Sequence, residues 1–512
     1  MHADSRPSML YGTLFLTATG MVAQFFGFLY RIFLSRLIGA ETMGLYQLIM
    51  PVYSVLLSVT VVGLTAAVSN LTSGYLAQHR GRAAEQTLSR CLTLLISLLA
   101  VPTVLVLLFS DSISVYLLGD ARTRLGLMLL PPCVLLTGVE NLHKHAFYGA
   151  GQIRPPAFAE LAEQLVRAVA VLGLLLLFLP QNPERTVGLI VMGMALCEVF
   201  SAVTLTLLYR RWRSRVSARG EKEPPRVLNR KITHIALPVG TTALLGNLMG
   251  SVCAIIIPQK LVEGGMKVSD AVSAFGVMFG MTLPLLSLPT SFIAALGLLL
   301  VPSLAESLAL GRKEEIRRRI SNAMLATSAL VLPAMAFLSV LGPTLGNAMF
   351  HNGDVGHFLL PLAIAMTLTC YQAVLSCALN GVGKQPISAR NALICAAVEL
   401  VITLVTVGRP EFGLGGYAVA SVCSAALGVM LDGWVVCRVT GLRLRIFTCF
   451  TAPGLAALLM GLCVNLLFRT LINLNMVGLH AALICLIFGM LLYLCALSAQ
   501  GIHATSLFHL QK

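Results

Sequence analysis

The sequence predicts an all-α polytopic membrane protein: fourteen transmembrane helices, arranged as two six-helix repeats that form two lobes, plus two C-terminal helices. Three observations predict it, namely apolar composition, an alternation of charge between successive loops, and an internal repeat. Over 512 residues, 57% are hydrophobic and only 11% charged. A soluble globular chain carries about 25% charged residues, so this one lacks the polar surface that water demands. No stretch between its apolar runs is long enough for a large soluble catalytic domain. Each run approaches the ~20 residues that cross a bilayer core.

The spans lie near 10–38, 44–76, 89–109, 124–147, 158–180, 187–209, 234–258, 271–305, 320–342, 358–380, 391–408, 416–437, 447–468 and 477–498. Glycine and proline mark most junctions, as at Gly39, Gly119, Pro180, Gly264-Gly265, Gly342-Pro343 and Gly415-Gly416. The first run is too long for a secretory signal core and is expected to remain as span 1. With these boundaries, the connections on the side of the N-terminus sum to +18 and the alternate ones to −1. Lysine and arginine stay preferentially in the cytoplasm, so both termini and the basic loops are expected there. The same rule accounts for the net charge of +15 without a nucleic-acid partner. The thirteen cysteines fall within or beside apolar runs and form no C-x-x-C, which predicts packing residues rather than zinc ligands or disulfides.

Pro51, Val68 and Leu71 match Pro284, Val301 and Leu304 at an offset of 233 residues. Gly149 to Gln152 matches Gly381 to Lys384 at 232, as do Leu161, Val166 and Leu172 with Leu393, Val398 and Leu404. The offset pairs span n with span n+6. The predicted organisation is therefore an N-terminal lobe at 1–209, a basic cytoplasmic linker at 210–233, a second lobe at 234–437, and spans 13 and 14 with the tail at 438–512. Both repeats begin on the same side, so a pseudo-two-fold axis along the membrane normal is expected, with a substrate site between the lobes. The linker region 210–231 holds nine Lys/Arg against two Glu, and reads first as a topology anchor against anionic membrane lipids.

An ionisable residue at mid-membrane costs roughly 2.5–3.5 kcal/mol on insertion scales, so it is a functional candidate by default. Span 1 carries Arg31 and Arg36, and Gln24 stands seven residues before Arg31 on the same face. A guanidinium matches phosphate oxygens; Arg36 also suits snorkelling to the outer interface. With Asn247 of span 7, which could equally bond between helices, and Lys260 just beyond that span, these make up the substrate-binding candidates. Glu163 and Arg167 stand at i, i+4, as do Glu140 and Lys144. Each pair reads equally as self-neutralising structure or as part of a translocation path. Glu198, Glu399 and Asp432 lack local partners; one of them is a candidate to bind a coupling proton or sodium ion, and each reads equally as paired with a basic residue elsewhere in the chain. Glu140, His143 and His145 are too loosely spaced for a metal site. No nucleotide-binding loop, nucleophile elbow or zinc-protease motif occurs, so neither catalytic residues nor cofactors are expected.

The stretch from Gly27 to Glu41 (GFLYRIFLSRLIGAE), followed by Gly44-Leu45-Tyr46-Gln47, resembles the stage V sporulation protein B group. That group lies in the polysaccharide-transporter branch of the multidrug/oligosaccharidyl-lipid/polysaccharide exporter superfamily, which also holds lipid II flippases. The resemblance implies alternating access, with a polyprenyl-pyrophosphate-linked sugar carried across the cytoplasmic membrane and spans 13 and 14 offering a groove to the lipid tail. It also implies a role in peptidoglycan, including spore cortex, and contact with cell-wall synthesis enzymes. Arg31 and Arg36 fall on basic positions of the group's first helix, whereas a further arginine common there is replaced by Gln24. Three competing readings are a drug/cation antiporter of the same architecture, a membrane-embedded enzyme acting on lipid-linked glycans, and a scaffold without transport. The basic first span and the short outer loops weigh against the first two.

Overall fold

The protein is described here by a computed structural model covering residues 9–178, 182–216, 220–442, 447–474, 476 and 478–501. All regular structure among these residues is helical. We number the helices α1 (9–38), α2 (40–77), α3 (Gly81–Leu108), α4 (Arg124–Gly149), α5 (Arg154–Phe178), α6 (Pro183–Val216) and α7 (Pro225–Glu263). The rest are α8 (268–309), α9 (Lys313–Phe350), α10 (Leu359–Gly381), α11 (Gln385–Thr406), α12 (Gly415–Thr440), α13 (Phe447–Asn473) and α14 (Gly478–Ala499).

Among the described residues, fourteen helices are long and apolar enough to cross a membrane. That count takes 15–77 as one element and divides α8 into Val268–Leu286 and Phe292–Ala309. The chain joins the first two predicted spans directly, and only Gly39 leaves helical geometry (φ 75°, ψ 175°), kinking one rod into α1 and α2. Glycine reaches that φ without steric cost. In α8 the single predicted span is instead broken, by a π-helical segment at Gly276–Thr282 and a turn at 287–289 around Pro289.

Two expected boundaries move. The Gly342-Pro343 pair does not end α9, which runs on to Phe350 and stops at His351 in the left-handed region. The glycine serves a close approach: a Cβ on Gly342 would lie 2.2 Å from Leu359 Cδ1, and one on Gly356 2.8 Å from Pro343. The basic linker, too, is mostly helix. α6 continues to Val216, and Pro224-Pro225 opens α7, where proline is tolerated because first-turn amides lack intrahelical acceptors. At 34 residues α6 is about 51 Å long, so it must project beyond a ~30 Å core.

The chain divides into two compact units, Met1–Gly276 and Val277–Lys512. Within the first, α6 packs most extensively on α4 and α5, and α7 lies along α1 and α2. The repeat assigns α7 to the second lobe, yet its packing places it here. A Cβ on Gly63 would come 2.3 Å from the Ala236 carbonyl oxygen, so glycine lets the two backbones meet. Within the second unit, α12 packs on α10 and α11, while α9, α13 and α14 enclose a core that includes Leu341, Met460 and Cys485.

The repeat is visible in the hydrogen bonding of turns. After α4, Ala150 N–H donates to Ala146 O at 3.0 Å and Gln152 N–H to Phe147 O at 2.9 Å, with Gly151 at φ 73°. After α10, 232 residues on, Val382 donates to Ala378 at 3.0 Å and Lys384 to Leu379 at 2.8 Å, with Gly383 at φ 76°. A third pair recurs at that offset: Arg80 N–H to Tyr75 O (2.8 Å) after α2, and Arg312 N–H to Ser307 O (2.9 Å) after α8. A Cβ on Gly149 would crowd Ser69 O at 2.5 Å, and one on Gly381 would crowd Val301 O at 3.0 Å. Helix packing is thus duplicated along with the sequence. All thirteen cysteines are free thiols.

Candidate functional site

The largest gathering of charge inside the first unit brings together α4, α5 and α6. Lys144 Nζ stands 2.5 Å from Glu140 Oε1 and 3.1 Å from Glu163 Oε2. Arg167 pairs with Glu163 and reaches Glu198 Oε1 at 3.4 Å. The three carboxylates are almost wholly buried, with side chains 2%, 8% and 3% exposed, and their nearest oxygens lie within 4.8 Å of one another. Helical spacing dictates the inner pairs, since residues four apart share a face. The joining of Glu198 depends on α6 packing against α5, where Cys197 also donates to the Glu163 carbonyl at 3.2 Å.

Fully ionised, three acids against two bases leave one negative charge in a medium that penalises it by several kcal/mol. Glu198 Oε2 and Arg167 Nε are buried without a hydrogen-bond partner among the described residues. The arrangement calls for one further positive charge. A metal ion fits poorly, because Lys144 Nζ and the Arg167 guanidinium already occupy the space between the carboxylates. A single proton fits without displacing either. His143 is engaged elsewhere, with Nδ1 2.7 Å from the Val139 carbonyl, and His145 stacks edge-on against Tyr148, so the looser Glu140–His143–His145 set does not assemble as ligands.

Tyr30 and Tyr46 extend this polar interior towards α1, and both lie within electrostatic reach of Arg31 and Arg167. Neither tyrosine was singled out in the sequence; a buried Tyr directly before an intramembrane Arg was the available signal. Arg31 is half-buried, while Gln24 and Arg36 are exposed. The remaining candidates disperse. Asn247 donates to Ser58 Oγ at 2.6 Å, holding α7 to α2, and Lys260 pairs with Glu263 at 2.5 Å at the end of α7. In the second unit, Asp432 accepts from Asn391 at 2.8 Å, and Glu399 accepts from Ser421 at 3.1 Å. Lys144, counted among loop charges in the sequence, is half-buried in the cluster.

The cluster is not part of the duplication. The positions 232 residues beyond Glu140, Lys144, Glu163, Arg167 and Glu198 hold Gln372, Ser376, Cys395, Glu399 and Met430. The packing of α4, α5 and α6 therefore recurs in α10, α11 and α12 without five converging charges.

A duplicated helical unit, fourteen apolar spans and buried intramembrane charge define a multi-pass membrane protein of the transporter and flippase class. The chain belongs to the polysaccharide biosynthesis protein family, which matches residues 9–307. It is 26% identical to stage V sporulation protein B of Bacillus subtilis (strain 168) over 86% of both chains. It is 23% identical to the lipid II flippase MurJ of the same organism over 77% of both. Among solved structures, MurJ in an inward closed conformation aligns with a TM-score of 0.67 at 13% identity, covering 94% of this chain and 98% of that one. An inward-facing multidrug resistance MATE family transporter of the MOP superfamily also gives 0.67, at 15% identity, covering 84% and 99%. At these identities the structural matches show a shared fold.

Proposed function

We propose that this protein is a flippase that carries a polyprenyl-pyrophosphate-linked sugar, such as the peptidoglycan precursor lipid II, from the inner to the outer leaflet of the cytoplasmic membrane. The observation that carries the reading is the match along most of both chains to a lipid II flippase, within a family that the chain belongs to. The chemistry supports it. A sugar-pyrophosphate head cannot cross hydrocarbon with its polar groups unsatisfied, and Arg31 offers a half-buried guanidinium within the first span. Loop charge supports cytoplasmic termini.

The same reading gives the buried cluster a task. Its three carboxylates, set against two cations, take up a proton that couples movement to the proton gradient. Its absence from the equivalent place in the second repeat supports a functional rather than an architectural role.

The test is lipid II exposure in cells depleted of their own flippase, read by a probe confined to the outer face. Wild-type protein restores exposure. Arg31→Ala, which removes a charge-assisted contact of about 1.5–3 kcal/mol, lowers the initial rate by about 10- to 100-fold. Correctly inserted wild-type protein that restores nothing would remove lipid II as the substrate, and full activity in Arg31→Ala would remove that residue from the phosphate site.

A further inference from the structure

The described residues leading into α7, 220–224, are docked against the α2–α3 turn, and one acidic residue holds them. Glu223, only 8% exposed, sits in a segment otherwise dominated by base. Its carboxylate is met by Arg80 at 2.7 Å from the α2–α3 turn, and by Lys231 at 2.8 Å from the first turns of α7. Both cations also lie 5.3 Å from the Tyr75 ring centroid, and Lys231 donates to the Tyr75 hydroxyl at 3.4 Å. Gln86 reads the Glu223 backbone in both directions, donating to its carbonyl at 2.9 Å and accepting from its N–H at 3.0 Å. Arg90 adds a bond to Asn229 at 2.8 Å. Gly220, at φ 90°, closes the loop so tightly that a Cβ would meet Arg80 Cα at 2.8 Å. The Lys231 hydrogen bond holds the Glu223 carboxyl below its ordinary value.

What this fixes is the inner end of α7. Leu228 and Ile232 are buried, but from Thr233 to Gly250 no residue is. Burial resumes at Ser251, which donates to the Pro51 carbonyl at 3.2 Å, and Gln259 donates to the Leu117 carbonyl at 2.6 Å. Between these two clamps α7 is met by the Gly63 close approach, the Asn247–Ser58 bond and the packing of Ile235 and Ala236 on the core. The exposed stretch contains Pro238, Gly240, Gly246 and Gly250, all poor helix formers.

We propose that residues 220–231 form a latched strap in which Glu223 is the latch: engaged, it pins the inner end of α7 to the α2–α3 turn, and released, it frees that end while the outer clamp stays closed. Such a strap is a regulatory contact independent of which molecule is transported. The apolar contacts of Leu228 and Ile232 hold the same end, and the Glu223 ion pairs add to them a contact that a single carboxylate controls. Partly exposed ion pairs are modest in strength, which suits a contact that has to open.

Backbone amide hydrogen exchange on the full chain in lipid nanodiscs tests it. In Glu223→Ala, exchange across 220–232 rises by about tenfold or more, while protection in α4–α6 is unchanged. Glu223→Gln, which keeps the Gln86 bonds and loses the charge, gives a smaller rise confined to the same residues. Glu221→Ala, an exposed acid two residues away, leaves exchange at the wild-type level. Unchanged exchange in Glu223→Ala would overturn the latch, as would an equal rise in Glu221→Ala. A rise that spreads through α4–α6 in both Glu223 variants would also overturn it, making the residue a folding determinant.

Discussion

The charged residues of α4, α5 and α6 form one electrostatic unit, and that makes individual substitutions unequal. Arg167 is the cation shared by Glu163 and Glu198. Removing it leaves Glu198 without a cation and Glu163 with Lys144 alone, a change that costs about 3–5 kcal/mol. Glu198→Gln does the reverse, cancelling the surplus negative charge while conserving shape. Thermal unfolding in detergent is expected to show Arg167→Ala strongly destabilised and Glu198→Gln at or above wild type, with the gradient dependence of transport lost in the second despite its stability. An unstable Glu198→Gln would make the cluster purely structural. The sequence exposed the i, i+4 pairs, because helical spacing is local. It could not show that Glu198 joins them, since that contact depends on how α6 packs. Nor could it separate Asn247, which bonds to Ser58, from a residue lining a path.

At the level of elements, the turns that end α2 and α8 adopt one geometry with different residues. His79 occupies the left-handed region at φ 57°, where the equivalent position holds Gly311 at φ 68°. A side chain there costs about 1–2 kcal/mol that glycine avoids. His79→Gly is therefore expected to stabilise the first unit by about 1 kcal/mol, and Gly383→Ala to destabilise the second by a similar amount. Chemical unfolding of the two variants checks both signs. The turns were legible in the sequence as glycine and basic residues at a constant offset. The Gly342-Pro343 pair misled because glycine there answers a side chain across the packing interface, Leu359, rather than a change in chain direction. The linker's helical ends were hidden by their charge, which resembles a loop although α6 simply outruns the bilayer.

For the molecule as a whole, composition, charge alternation and the repeat were sufficient for fourteen helices, because each is a property of the whole chain averaged over many residues, whereas the family was legible in the local stretch from Gly27 to Gln47. The division into compact units was not, since α7 packs against α1 and α2 through contacts such as Gly63 with Ala236 that no periodicity announces. The duplicated architecture, present with and without the five charges, separates what the fold requires from what has been added to one copy. The added part is where function is expected to reside. The most direct measurement is therefore flipping of lipid II by the purified protein in sealed liposomes, followed with a reagent that reaches only the outer leaflet, under an imposed proton gradient. The account predicts gradient-dependent movement by the wild type, a large loss in Arg31→Ala, and movement that no longer responds to the gradient in Glu198→Gln. Gradient-dependent flipping that survives unchanged in both variants would contradict it.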